Sequence, residues 1–193
     1  MVVQPLGVVN PIPPTNGLIQ IFTGDGKGKT TAALGEAVRA VGAGKRVAIV
    51  YFDKGGSHYS ERKTLKECFS GSIDFVATGR DRIDPHTGRF DFSLTQEDQD
   101  EAKKGLEQTQ SFLHDGLHDL VILDEINSTA HLGMISIEDV CALLDHKPEH
   151  IEIILTGRHA PEAFLDRAHL ITDVRMVKHY FYAGINAREG LDW

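Results

Sequence analysis

Six short runs of apolar and β-branched residues punctuate the chain: Leu18–Phe22, Arg46–Phe52, Ile73–Ala77, Leu120–Leu123, Ile151–Leu155 and Leu170–Val174. Their length and their flanking glycines, prolines and charges predict strands. From Val47 to Phe52 the second run is apolar without alternation, as expected for a strand covered on both faces. Between the runs, helical spacing predicts helices over Thr31–Val41, Glu61–Phe69, about Thr95 to Phe112, Ile137–Leu144 and Pro161–Ala168. Gly42-Ala43-Gly44 stops the first. Ala102, Leu106, Thr109 and Leu113 share one face of the third. Ser136 is placed to cap the fourth, with Asp139 as its capping-box partner. Pro161 fits the first turn of the last. Alternating strands and helices imply right-handed crossovers and a mostly parallel, two-layered α/β sheet flanked by helices. Ligands of such sheets bind at the carboxyl ends of the strands. The segments 23–30, 53–54, 78–82, 124–125 and 156–158 are therefore expected to converge on one side.

Three segments stand outside this pattern. Residues 1–16 hold four of the seven prolines and read as a flexible N-terminal arm, leaving 17–193 as one domain. Thr78–Phe92 has glycines, a proline and many charges, and it is long for a connection, as lids and binding loops are. Arg175–Trp193 has three aromatics before its final tryptophan and no clear period.

Composition narrows the class. The 193 residues suffice for one domain with a sizeable core. A net charge of -8 disfavours nucleic acid as a partner. Cys68 and Cys141 form no CxxC pair and read as reduced thiols, which fits a cytoplasmic location. The ten histidines show no metal-binding spacing. No apolar run approaches a membrane span, and the N-terminus lacks a signal-peptide layout.

The chemistry concentrates after the first strand, in Thr23-Gly24-Asp25-Gly26-Lys27-Gly28-Lys29-Thr30-Thr31. Strand, glycine-rich loop, Lys, Thr and helix make the phosphate-binding P-loop arrangement, so the fold expected is a single-domain P-loop (RecA-like) α/β domain. Gly24, Gly26 and Gly28 would let the backbone curl around phosphate oxygens. Amide groups and the helix N-terminus would face the anion, Lys29 would add a full charge, and the Thr30 hydroxyl could hold a magnesium ion. The usual signature asks for glycine where Thr23 stands. Asp25, inside the loop, either faces away or accepts from a ribose hydroxyl or a loop amide.

Asp124-Glu125 closes the fourth apolar run in the hhhhDE pattern of a Walker B strand. Its aspartate can hold magnesium, and in hydrolases the glutamate often positions water. As a bare acid pair it could also be no more than a helix start. Arg158, just after the fifth run, is a candidate clamp on polyphosphate, with a surface salt bridge as the equal alternative. Asp53-Lys54-Gly55-Gly56 reads as an ordinary loop rather than a ligand contact.

Phe22–Gly55, Val121–Asn127 and Ile154–Pro161 resemble the P-loop ATP:corrinoid adenosyltransferases, and so does Val177–Trp193, a closing motif with no general P-loop explanation. Thr23 is also what that family shows. The resemblance runs from about Gly17 to the end. It implies that the Co(I) of a reduced corrinoid attacks the 5′ carbon of ATP and triphosphate leaves. Loop amides, Lys29, magnesium (or manganese) on Thr30 and Arg158 would then stabilise the leaving group, and Glu125 would serve metal or ribose. It places Asp25, Lys27, Thr31 and Asp124 in the ATP site and Lys178 and His179 near it. A homodimer and a flavoprotein reductant are the partners it implies. The family commonly carries a Gly-Phe-Thr-Trp-like stretch after the third strand, whose aromatics pack on the corrin. This chain has Gly79-Arg80-Asp81-Arg82, with Phe90 and Phe92 as the nearest aromatics. Either those two fold back into that role, or the lower face is handled differently, or the substrate differs; the plain alternative is that they anchor the loop in the core. A RecA-like ATPase using Glu125 on water is the alternative enzyme, and a nucleotide-dependent corrinoid-binding module the alternative outside catalysis.

Overall fold

The computed structural model describes residues 16–82, 91 and 93–192. The N-terminal arm up to residue 15, Phe90 and Phe92 lie outside the described residues. Six strands form one sheet: β1 (Ile19–Thr23), β2 (Val47–Tyr51), β3 (Ile73–Ala77), β4 (Leu120–Asp124), β5 (Glu152–Thr156) and β6 (Leu170–Asp173). All pairings are parallel, in the order β3-β2-β4-β5-β1-β6, so every carboxyl end lies on one edge. The helices are α1 (Lys29–Gly42), α2 (Ser60–Cys68), α3 (Gln96–Asp115), α4 (Ile126–His131), α5 (Ile137–Asp145) and α6 (Glu162–Leu165). A 3-10 turn, Tyr180–Ala183, follows β6.

The architecture has three layers rather than the two expected. Alternate residues of each strand feed two separate cores. Val47, Ile49 and Tyr51 pack with Ala33 and Ala37 of α1 and Leu65 of α2. Ala48, Val50 and Phe52 pack with Ala102 and Leu106 of α3, Ala130 of α4 and Val140 of α5. That is why β2 shows no alternation: each of its five residues is buried. The edge strand β6 is the opposite case, with all four residues exposed.

Local signals act as their chemistry requires, with two exceptions. Ala102, Leu106, Thr109 and Leu113 are all buried on α3. The full capping box sits on that helix, where Thr95 Oγ1 accepts from the Asp98 amide and the Asp98 carboxylate accepts from the Thr95 amide. On α5 only half of the expected box forms. Ser136 Oγ accepts from the Asp139 amide and donates to the neighbouring Glu138 carboxylate at 2.9 Å, while the return bond from the Ser136 amide to the Asp139 side chain is not formed. Pro161 precedes α6 as its cap instead of opening it, with an extended ψ of 143°. Helix α4 was not expected, because its six residues are too few to show a period.

Candidate functional site

The strand ends meet in a cleft of about 1490 Å³ lined by Asp25 to Thr31, Lys54, Glu125, Arg158 and, from the closing segment, His179, Tyr180 and Asp192. Among the described residues, three non-glycine residues hold left-handed backbone, each directly or closely following a strand: Asp53 (φ 50°), Glu125 (φ 63°), which lines the cleft, and His159 (φ 54°). Such conformations cost about 1–2 kcal/mol each and gather where function demands them. A second cleft, about 840 Å³, lies between α3 and α5 and contains none of the strand-end residues.

The glycine loop closes on protein rather than on empty space. A Cβ on Gly24 would meet Asp173 Oδ1 at 2.3 Å, and one on Gly26 would meet Val174 O at 2.6 Å. The Gly26 amide already donates to Val174 O at 2.7 Å. The close approach these two glycines permit is therefore to the chain after β6. Gly28 is needed for its backbone, at φ 122°, and a Cβ there would touch nothing. The Thr23 hydroxyl accepts from the Ala160 amide at 3.3 Å and so ties the loop to the segment after β5, a bond that glycine at this position could not make.

Lys29 is buried and donates to Gly24 O (2.7 Å) and Gly26 O (2.8 Å). Burial lowers its pKa and outweighs the opposing charges of Glu125 and Asp25, while Arg158 and Lys54 add to the drop. Lys29 lines a cleft that an anion could enter. Lys27 points the other way, toward the closing segment, where it contacts Asp192 and Leu191 O. Asp192 is also bonded to the Tyr180 hydroxyl and to Arg188, so residues 180–192 clasp the loop through Lys27. Asp25 and Thr31 are exposed on the cleft wall, as is Arg158. His179 lines the cleft, while Lys178 does not.

Asp124 is 1% exposed, and its two oxygens are both engaged. Oδ1 accepts from the Thr156 hydroxyl at 2.6 Å and Oδ2 from Lys54 Nζ at 2.5 Å. Lys54 also donates to Thr30 Oγ1 at 3.0 Å and lies 3.9 Å from Glu125 Oε1. Glu125 accepts from the Ser128 hydroxyl (2.7 Å), which in turn accepts from the Arg158 amide (2.9 Å). The expectation that Asp53-Lys54 is an ordinary loop is thereby overturned: Lys54 joins Thr30 to Asp124 at the centre of the site. Burial alone would push the Lys54 ammonium down, but Asp124 and Glu125 outweigh it and hold it above the ordinary lysine value. The sequence signal missed was position, a lysine three residues beyond the fully buried strand β2.

The segment 78–82 is built differently. Arg82 is 5% exposed and bonded to Asp53 (2.7 Å) and Asp98 (3.0 Å), while Arg80 pairs with Asp98 (2.9 Å) and Asp91 (2.7 Å). Both also donate to Ser93 O. Neither arginine lines the cleft.

An all-parallel sheet with helices on both faces, and a glycine loop leading from β1 into α1, make an α/β fold consistent with the P-loop class. The sequence pattern of the ATP:corrinoid adenosyltransferase BtuR/CobO/CobP family matches residues 15–193. The chain is 37% identical over 179 residues to the corrinoid adenosyltransferase CobA of Salmonella typhimurium, covering 92% of this chain and 86% of that one. It is 35% identical over 177 residues to the corrinoid adenosyltransferase of Escherichia coli K12, with the same coverage of each. An uncharacterized protein from Nostoc sp. is 36% identical over 185 residues, covering 91% of this chain, and this chain spans about half (48%) of that relative's length. The chain belongs to the ATP:corrinoid adenosyltransferase family, whose class of reaction is adenosyl transfer from ATP to a corrinoid.

Proposed function

We propose that the cleft holds ATP with its triphosphate on the loop 24–31, so that the 5′ carbon faces a reduced corrinoid. The corrinoid's Co(I) gives its electron pair to C5′, the C5′–O bond breaks, and its pair leaves on triphosphate as cobalt becomes Co(III). The observation that carries this is the buried Lys29, whose ammonium has, among the described residues, only loop carbonyls as hydrogen-bond partners and lies in a cleft of about 1490 Å³. At about 1490 Å³ the cleft exceeds the roughly 300–1,000 Å³ of common ligand pockets, leaving room for a second substrate. Lys29 and Arg158 would meet the charge that develops on the leaving group, and charge stabilisation in a dry site is a large source of rate. The attacking atom belongs to the substrate, so the protein need supply neither a nucleophile nor a base.

Thr30, Asp124 and Glu125 suit magnesium or manganese: hydroxyl and carboxylate oxygens are hard ligands, and they already surround a cation, the Lys54 ammonium. Bound there, the ion would neutralise phosphate charge. Asp25 and Thr31 would bound the nucleotide, and Lys27 would hold the closing segment over it. The exposed apolar rim of Val177, Phe181 and Tyr182 suits a corrin face or a second copy in a homodimer. The free thiols Cys68 and Cys141 fit a reducing cytoplasm, where a flavoprotein would supply the electron for Co(I).

An anaerobic assay with ATP and chemically reduced corrinoid tests the reading. Adenosylated corrinoid and triphosphate in equal amounts are expected. ADP and phosphate with unmodified corrinoid would establish the ATPase reading instead.

A further inference from the structure

Lys54 occupies the point between Thr30 Oγ1 and Asp124 Oδ2, at 3.0 and 2.5 Å. Its position is built rather than incidental. The Lys54 amide donates to Thr78 O at 2.9 Å, and the Arg62 guanidinium donates to Lys54 O. Arg62 is in turn stacked over Tyr59 (4.4 Å to the ring centre) and Tyr51 (4.8 Å). The Lys54 side chain is 14% exposed, and its carboxylate partner Asp124 is almost fully buried. Without Lys54, Asp124 would be a buried carboxylate with only the Thr156 hydroxyl to answer it among the described residues, a costly arrangement. A divalent ion on the same two oxygens would sit about 2.0–2.1 Å from each. That volume is the one the ammonium fills, and the charges repel, so the two cations exclude each other.

We propose that Lys54 is the resident counter-cation of the nucleotide-free site. It neutralises Asp124, holds Thr30 in register with it, and keeps free divalent ions out. It surrenders both oxygens only to a metal that arrives with polyphosphate, because the phosphates then give the displaced ammonium a new anionic partner in the same cleft. This rests on the reading of Thr30 and Asp124 as metal ligands. It adds that loading is ordered: metal enters with nucleotide, not before it.

Manganese binding, followed by loss of the free-ion electron paramagnetic resonance signal, reads this without turnover. Nucleotide-free wild type is expected to bind Mn²⁺ weakly. Nucleotide-free Lys54→Met, its fold checked by circular dichroism, is expected to bind it at least about tenfold more tightly, since a competing cation is gone from a carboxylate site. Adding Asp124→Asn to Lys54→Met should abolish the gain. Lys54→Gln, which can still hydrogen-bond Asp124 without a charge, carries the same expectation should the methionine variant fail to fold. Equal Mn²⁺ affinity in wild type and the uncharged variant overturns the proposal. The underlying reading is tested apart from it, by titrating wild type and Asp124→Asn with ATP present. If ATP-dependent Mn²⁺ binding is unchanged in Asp124→Asn, the metal-ligand assignment fails whatever Lys54 does.

Discussion

Two clusters of basic and acidic side chains stand on the same edge of the sheet, and they are built to opposite ends. At the glycine loop, Lys29 has, among the described residues, only its own loop's carbonyls as hydrogen-bond partners, and Lys54 bridges Thr30 and Asp124 beside an open cleft. After β3, Arg80 and Arg82 are consumed by Asp53, Asp91, Asp98 and the Ser93 carbonyl. A guanidinium is always charged and forks across two partners, which suits a permanent lattice. An ammonium on a flexible stem can change partner, which suits a site that must accept and release an anion. Charge in a loop is therefore a poor guide to function until its partners are counted. The arginine-rich stretch reads in sequence as a lid or binding loop, yet its charges are the more fully satisfied in structure.

The sharpest way to break this contrast is at Lys29. Lys29→Ala is expected to lower adenosyl transfer by roughly 10²–10³-fold, the usual loss for one donor to a developing anion. Its unfolding temperature should stay close to that of wild type, because the bonds lost are to loop carbonyls. Paired kinetics and calorimetry check both halves.

Asp98→Asn should show the reverse pattern. Removing the shared partner of Arg80 and Arg82 is expected to cost about 3 kcal/mol. In a chain of this size that lowers the unfolding temperature by about 6–12 °C. Acid should remove the difference. Burial pushes the Asp98 carboxyl up, but the Thr95 groups and the two guanidiniums outweigh it and hold its pKa below the ordinary value. Its stabilisation is thus full above the unfolded carboxylate value of about 3.9 and is lost as pH falls through the folded one. Unfolding temperatures of wild type and Asp98→Asn should therefore keep a constant gap from pH 7 to about 4 and draw together as the pH falls further. The smallest effect belongs to the cap alone: Thr95→Ala is expected to cost about 1 kcal/mol, read by urea titration.

Much of the fold was legible because it rests on local pattern. Fully apolar runs such as Val47–Phe52 mark strands buried on both faces, and the spacing of Ala102, Leu106, Thr109 and Leu113 marks the inner face of α3. Layer count was not legible, since the strand pattern does not say which core each face meets. At the site, the glycine loop, Asp124-Glu125 and Arg158 stand out by residue type, and the parallel sheet brings them to one cleft. Lys54 does not stand out, because its meaning lies in contacts to Thr30 and Asp124, 24 and 70 residues away. Gly24 and Gly26 were legible as glycines, but the close contact they permit within the protein was not. The backbone they admit is Val174, which no local rule connects to the loop.

The central claim, that the P-loop charges act on a leaving triphosphate while the Arg80–Arg82 lattice only supports the fold, meets its most direct test in one measurement. That measurement is the rate of triphosphate release with reduced corrinoid for wild type, Lys29→Ala and Asp98→Asn, at a temperature where all three are folded. The account predicts a loss of roughly a hundredfold or more for Lys29→Ala and a rate within about twofold of wild type for Asp98→Asn. Near-normal release from Lys29→Ala, or an equal loss in both variants, would contradict it.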